Sequence, residues 1–145
     1  MTDFAIDASV AIKWVVDEPE TEQALALLSH DLLAPDLLVA ECANILWKKV
    51  RRTELTEAEA SLAARLLTRA DVELVPIRPQ LEPATWLAIL LNHPAYDCVY
   101  LALAEARGCL FVTADTSFAR KAQAAGLGAK VIVLGSIASP IDPPA

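Results

Sequence analysis

The sequence predicts an α/β protein whose parallel sheet is covered by helices on both faces. Short apolar strand segments alternate with longer helix-period segments along the chain, the pattern that builds such a sheet. Glycine, proline and polar clusters mark the changes from one to the other. Four acidic residues, Asp7, Glu41, Asp97 and Asp115, stand in apolar surroundings at or near points where a strand gives way to a helix. The 145 residues suit one domain with one core.

Asp3 to Ile6 reads as the first strand and Ser9 to Val16 as a helix. Asp17-Glu18-Pro19 breaks it, and a second helix runs to about His30. Leu32 to Ala34 is a brief strand, after which Pro35-Asp36 opens a strongly apolar helix to about Arg52. Thr56 and Glu59 have the spacing of a capping box, which starts a helix to about Ala70. Glu73 to Ile77 is a strand. The helix from Gln80 to Asn92 tolerates Pro83 only in its first turn, where the missing N–H is no loss. His93-Pro94 ends it, and Tyr96 to Arg107 is the next helix, closed by Gly108. Cys109 to Thr113 is a buried strand, Ser117 to Ala125 a helix ended by Gly126, and Lys130 to Leu134 the last strand. Residues 1–136 form the expected domain; 137–145, with Pro140, Pro143 and Pro144, form a tail that extends neither sheet nor helix.

Composition narrows the setting. The apolar fraction is 55% and the mean hydropathy +0.41, yet no apolar run reaches the ~18–20 residues of a membrane span. The surplus apolar surface is expected to meet a partner, in a homodimer or a complex. Met1-Thr2-Asp3-Phe4 carries no basic region ahead of an apolar one, so no secretory signal is expected. Cys42, Cys98 and Cys109 lack metal-ligand spacing and read as reduced thiols of a cytoplasmic protein. The net charge of −7 runs against the usual nucleic-acid binder, which neutralises phosphates. Much of that charge belongs to the four acids, and local fields matter more than the total.

In parallel sheets the active crevice lies beyond the carboxyl ends of the strands, at a switch in strand order. Asp7 and Asp115 follow strands there, and Glu41 and Asp97 lie in helices entered from the same edge. Gathered together, they form an oxygen-lined pocket suited to a hard divalent metal, a known means of activating water against a phosphodiester. Each acid also has a structural reading. Asp7 and Asp115 suit helix N-caps, and Asp97 suits the first turn of its helix. Glu41, between Ala40 and Cys42 in an apolar helix, fits neither role.

The stretches Ile6-Asp7-Ala8-Ser9, Pro35-Asp36-Leu37-Leu38-Val39-Ala40-Glu41-Cys42-Ala43-Asn44-Ile45-Leu46, His93-Pro94-Ala95-Tyr96-Asp97-Cys98-Val99-Tyr100-Leu101-Ala102-Leu103-Ala104 and Val112-Thr113-Ala114-Asp115 resemble, in order and spacing, a PIN domain of the VapC-type ribonuclease toxins of type II toxin–antitoxin systems. The resemblance spans the first strand to the last. It implies a three-layer α/β/α fold with a five-stranded parallel sheet in the order 3-2-1-4-5. It also implies Mg²⁺ or Mn²⁺ dependence, endonucleolytic RNA cleavage leaving 5′-phosphate and 3′-hydroxyl ends, a homodimer, and a cognate antitoxin that blocks the site.

On this reading Asp7 and Asp97 are the leading metal ligands. Asp115 and Glu41 complete the shell, bind a second ion or orient the attacking water. Ser9 and Thr113, each two residues from a key aspartate, are candidate contacts to a metal-held water or a phosphate oxygen, with local capping as the alternative. Asn44 and Lys48 share a helix face with Glu41, and Lys48 stands ~10 Å along the axis from it, a distance suited to gripping RNA. Lys49, Arg51 and Arg52 extend this basic end, unless they only complement the helix C-terminus. Lys13, Arg120 and Lys121 are weaker candidates; Trp14, Trp47 and Trp86 read as core or dimer contacts. No Gly-x-x-x-x-Gly-Lys or Gly-x-Gly-x-x-Gly occurs, so no nucleotide cofactor is expected. The alternative of another class is a non-catalytic PIN-like module whose metal pocket only docks RNA or protein.

Overall fold

The computed structural model describes residues 2–137; the expected tail, Ile137 apart, lies outside the described residues. Five strands, β1 (Phe4–Ile6), β2 (Leu32–Pro35), β3 (Glu73–Val75), β4 (Leu110–Thr113) and β5 (Val131–Val133), form one parallel sheet. Its order is β3-β2-β1-β4-β5, as the resemblance implied. The helices are α1 (Ala8–Ala11), α2 (Thr21–Ala26), α3 (Leu37–Arg51), α4 (Glu57–Thr68), α5 (Leu81–Leu91), α6 (Ala95–Arg107) and α7 (Thr116–Ala124). β1 is the central strand, with Ile6 opposite Val112 and Ala5 opposite Leu33. Because strand order reverses at β1 and β4, the residues just beyond these two strands meet at the switch point.

The core lies against this central pair. Ala5, Ile6, Leu33, Phe111 and Val112 are fully buried from the sheet, and α6 adds Cys98, Tyr100 and Leu101. Strands buried on both faces read as continuous apolar runs, which is why they were visible in sequence. Thr56 and Glu59 close the expected capping box on α4. Pro83 sits in the first turn of α5. Asn92 ends that helix in the left-handed region (φ 48°), where Asn is better tolerated than most residues. The His93 N–H returns to the Ala88 carbonyl at 3.1 Å, so Asn92, His93 and Pro94 turn the chain sharply from α5 into α6.

One expectation changes. The first helix is not continuous to Val16: α1 ends at Ala11 and Ile12–Trp14 tightens into a 3₁₀ turn. There the Trp14 indole donates to the Ala24 carbonyl at 2.8 Å, tying the turn to α2. Only Trp14 packs on the core; Trp47 and Trp86 are more than half exposed.

Candidate active site

The site begins where β1 stops. Asp7 caps α1 by accepting the Val10 N–H at 3.2 Å, so the capping reading was correct, and it is also the most buried acid of the four. Its Oδ1 accepts the Ser9 hydroxyl at 2.5 Å and its Oδ2 accepts the Thr113 hydroxyl at 2.5 Å. The two hydroxyls also accept backbone N–H groups just beyond β4. Ser9 Oγ accepts the Ala114 N–H at 3.0 Å, and Thr113 Oγ1 accepts the Asp115 N–H at 3.0 Å. Asp115 in turn caps α7 through the Phe118 N–H at 3.1 Å. Both strand ends are thereby stitched around one carboxylate.

Asp7, Glu41, Asp97 and Asp115 line a single open cleft of about 540 Å³, together with Ser9, Asn44 and Lys48. Thr113 departs from the expected substrate contact. It is fully buried behind Asp7, and its hydroxyl serves that carboxylate and a backbone N–H. Lys13, on the far side of Ser9, is buried and paired with Glu18 at 3.4 Å.

Two residues that sequence reasoning did not assign to the site hold the other acids. Tyr100, fully buried, donates its hydroxyl to Glu41 Oε1 at 2.5 Å. His93 Nε2 lies 2.6 Å from Asp97 Oδ2. His93 had been read only as part of a helix break; its position four residues before Asp97 was the available signal. Tyr100 lies three positions after Asp97 on the same helix and had no polar neighbour in sequence to betray it. The Tyr100 ring stacks on Phe111 at 5.8 Å, Phe111 meets Phe118 edge-on at 6.0 Å, and Phe118 meets His93 at 5.1 Å. One aromatic row therefore runs beneath the cleft, from the residue that holds Glu41 to the residue that holds Asp97.

The electrostatics are those of a cation site. Burial pushes Asp7 up to about 7 despite the bonds from Ser9 and Thr113, and repulsion from Asp97 adds to it. Burial likewise raises Glu41, opposed by the Tyr100 hydrogen bond and aided by Asp97. Asp97 is raised by burial and by Asp115, against the His93 bond. Asp97 thus repels Asp7 and Glu41 and is itself repelled by Asp115. Among the described residues, His93, Asp97 and Asp115 offer ligand atoms within 4.8 Å of one another. Converging, mutually repelling carboxylates in a cleft fit a hard divalent cation, which takes oxygen ligands and leaves sites for water.

The PIN domain family profile matches residues 4–124. Ribonuclease VapC9 of Mycobacterium tuberculosis is 33% identical over 121 residues, covering 83% of this chain and 92% of the relative. Ribonuclease VapC3 of Pyrobaculum aerophilum is 35% identical over 122 residues, covering 81% and 93%. In architecture the chain is similar to the crystal structure of Mycobacterium tuberculosis VapC20, described as a sarcin-ricin loop cleaving toxin. The TM-score is 0.60 at 15% identity, covering 81% of this chain and 94% of that one. With most of its length matched by the profile and its acids at one switch point, the chain belongs to the PIN domain family.

Proposed function

We propose that this protein is a divalent-metal-dependent endoribonuclease and the toxin of a toxin–antitoxin pair. The observation that carries the reading is the convergence of Asp7, Glu41, Asp97 and Asp115 on one cleft, each held by a residue of its own. The likeness to relatives named ribonuclease VapC supports RNA as the substrate. Mg²⁺ or Mn²⁺, when bound, supplies a water of lowered pKa and offsets charge on the scissile phosphate.

The chain's own residues do the positioning. Asp7 has two donors on Oδ1 and one on Oδ2, which leaves one lone-pair direction of a four-site carboxylate for a cation. His93 fixes Asp97, and Tyr100 fixes Glu41, so each acid faces the cleft without ordering at the moment of reaction. Asp115 is fixed by capping α7. Ser9, Asn44 and Lys48 on the cleft wall are the proposed substrate contacts.

Partners follow from the same reading. An antitoxin would have to cover this cleft to silence it. The outer face of α5 carries exposed Leu81, Trp86, Ile89 and Leu90, which we assign to a homodimer contact. The thiols are unpaired and, among the described residues, no single helix is long and apolar enough to cross a membrane; both suit the cytoplasm.

The test is cleavage of total RNA by the wild type and by Asp7→Asn, with and without Mg²⁺ or Mn²⁺. Metal-dependent cleavage by the wild type, lowered ~10²–10³-fold in Asp7→Asn, is expected, the scale of losing one strong electrostatic contributor. Metal-dependent RNA binding with no cleavage of any RNA would establish the docking-module alternative instead.

A further inference from the structure

A chain of net charge −7 whose reactive cleft is lined by four acids needs some other surface to hold a polyanion. The structure has one immediately beside it. A second cleft, of about 250 Å³, is lined by Lys13, Lys48, Lys49 and Arg52, with Glu18 as its one acidic residue. The two clefts share a wall made of Ser9, Ile45 and Lys48. Opposite charges thus meet along one edge, with Lys48 on both sides of it.

The four cations are not equivalent. Glu18 binds Lys49 at 2.6 Å and Lys13 at 3.4 Å, which fixes both ammonium groups in the cleft wall and takes up part of their charge. Lys48 and Arg52 are exposed and, among the described residues, enter no ion pair. They lie four residues apart and so share a helix face, the one on which Glu41 stands seven residues before Lys48. Arg51 does not belong with them: its guanidinium sits over the Trp47 ring at 5.4 Å.

We propose that the basic cleft is a phosphodiester subsite, in which Lys48 and Arg52 grip the RNA backbone on one side of the cut only. The proposal rests on the ribonuclease reading of the acid cleft. Phosphates flanking the cut are repelled by the acid cleft and find a cluster of compensating charge toward the C-terminal end of α3, whereas Lys121, beside Asn92, is committed to that residue's carbonyl at 3.0 Å. The protein's low isoelectric point and an RNA substrate are then compatible, because affinity and chemistry occupy adjoining surfaces of opposite sign.

Salt dependence separates this role from the favourable charge that any helix C-terminus gains from a cation. Binding of a fluorescent oligouridylate is followed by anisotropy in EDTA, which prevents cleavage, across a KCl series. Neutralising two phosphate grips in Lys48→Gln/Arg52→Gln is expected to flatten the plot of log K against log salt by about 1.4, at ~0.7 per phosphate on a single strand. Arg65→Gln/Arg69→Gln, an equal charge change on exposed residues at the C-terminal end of α4, is expected to leave the slope unchanged. In the presence of Mn²⁺, trimming an end-labelled substrate from its two ends should slow wild-type cleavage at one end more than the other, and Lys48→Gln/Arg52→Gln should erase that difference. Equal flattening in both double variants, no flattening in either, or no measurable wild-type binding would each overturn the subsite. The binding arm needs no turnover, so a wild type that binds with the expected slope yet never cuts would refute the ribonuclease reading and leave the phosphate cleft standing.

Discussion

Asp7 carries a conflict between folding and function. Burial holds its proton up to about 7, whereas an unfolded aspartate releases it near 3.8. Between those values the unfolded chain has already lost the proton and the folded chain has not, so stability falls as pH rises through the window. The deficit is complete above pH ~7 and is of order 4–5 kcal/mol at ~1.4 kcal/mol per pKa unit. Metal-free Asp7→Asn is therefore expected to melt higher than the wild type at pH ~8 and to lose that advantage by pH ~4, as thermal denaturation would show. His93 acts one step further out. Removing its bond to Asp97 in His93→Ala is expected to weaken Mn²⁺ binding about 10–100-fold, the usual cost of losing a residue that orients a ligand. Calorimetric titration would measure this, and His93→Gln, which keeps a donor, should recover part of the loss.

Among the elements, the long helices owe their limits to features visible in the sequence. The Thr56–Glu59 box starts α4, Pro83 falls in the first turn of α5, and Gly108 (φ 68°) ends α6. Thr56→Ala should lower stability by about 1 kcal/mol, read by urea denaturation, and leave cleavage intact, because α4 contributes nothing to the acid cleft. The first helix was harder to read. Ser9 to Val16 carries a helical pattern, but the indole bond from Trp14 to Ala24 is tertiary, and it accompanies the change to a 3₁₀ turn after Ala11. Local propensity contains no trace of such a bond. Thr113 escaped for a related reason. A threonine two residues from an aspartate suggests a contact in the pocket, and only the pairing of β1 with β4 shows that it lies beneath Asp7 instead.

The whole molecule was legible where chemistry and topology constrain each other. Carboxylates seldom enter apolar stretches without a cation or a hydrogen bond, so the four acids declared themselves, and the alternation of strands and helices indicated the edge on which they meet. Strand order itself came from the likeness to PIN domains. The aromatic row from Tyr100 to His93 was invisible because apolar rings at helical and strand spacing look alike whatever lies above them. The exposed side of α5 is an apolar face without a described partner, with Ile89 77% exposed. Ile89→Glu is expected to convert the proposed homodimer to a monomer in sedimentation velocity while leaving the melting temperature of the monomer nearly unchanged.

The stitch between Asp7 and the end of β4 joins residues far apart in the sequence: Thr113 lies 106 positions beyond the carboxylate it steadies. A growing chain that has not yet reached β4 holds its first acid with the Ser9 hydroxyl alone and lacks both Thr113 and Asp115, so it cannot assemble the cage. Partly made copies thus lack the four-acid cleft, and only chains that have folded through β4 carry it.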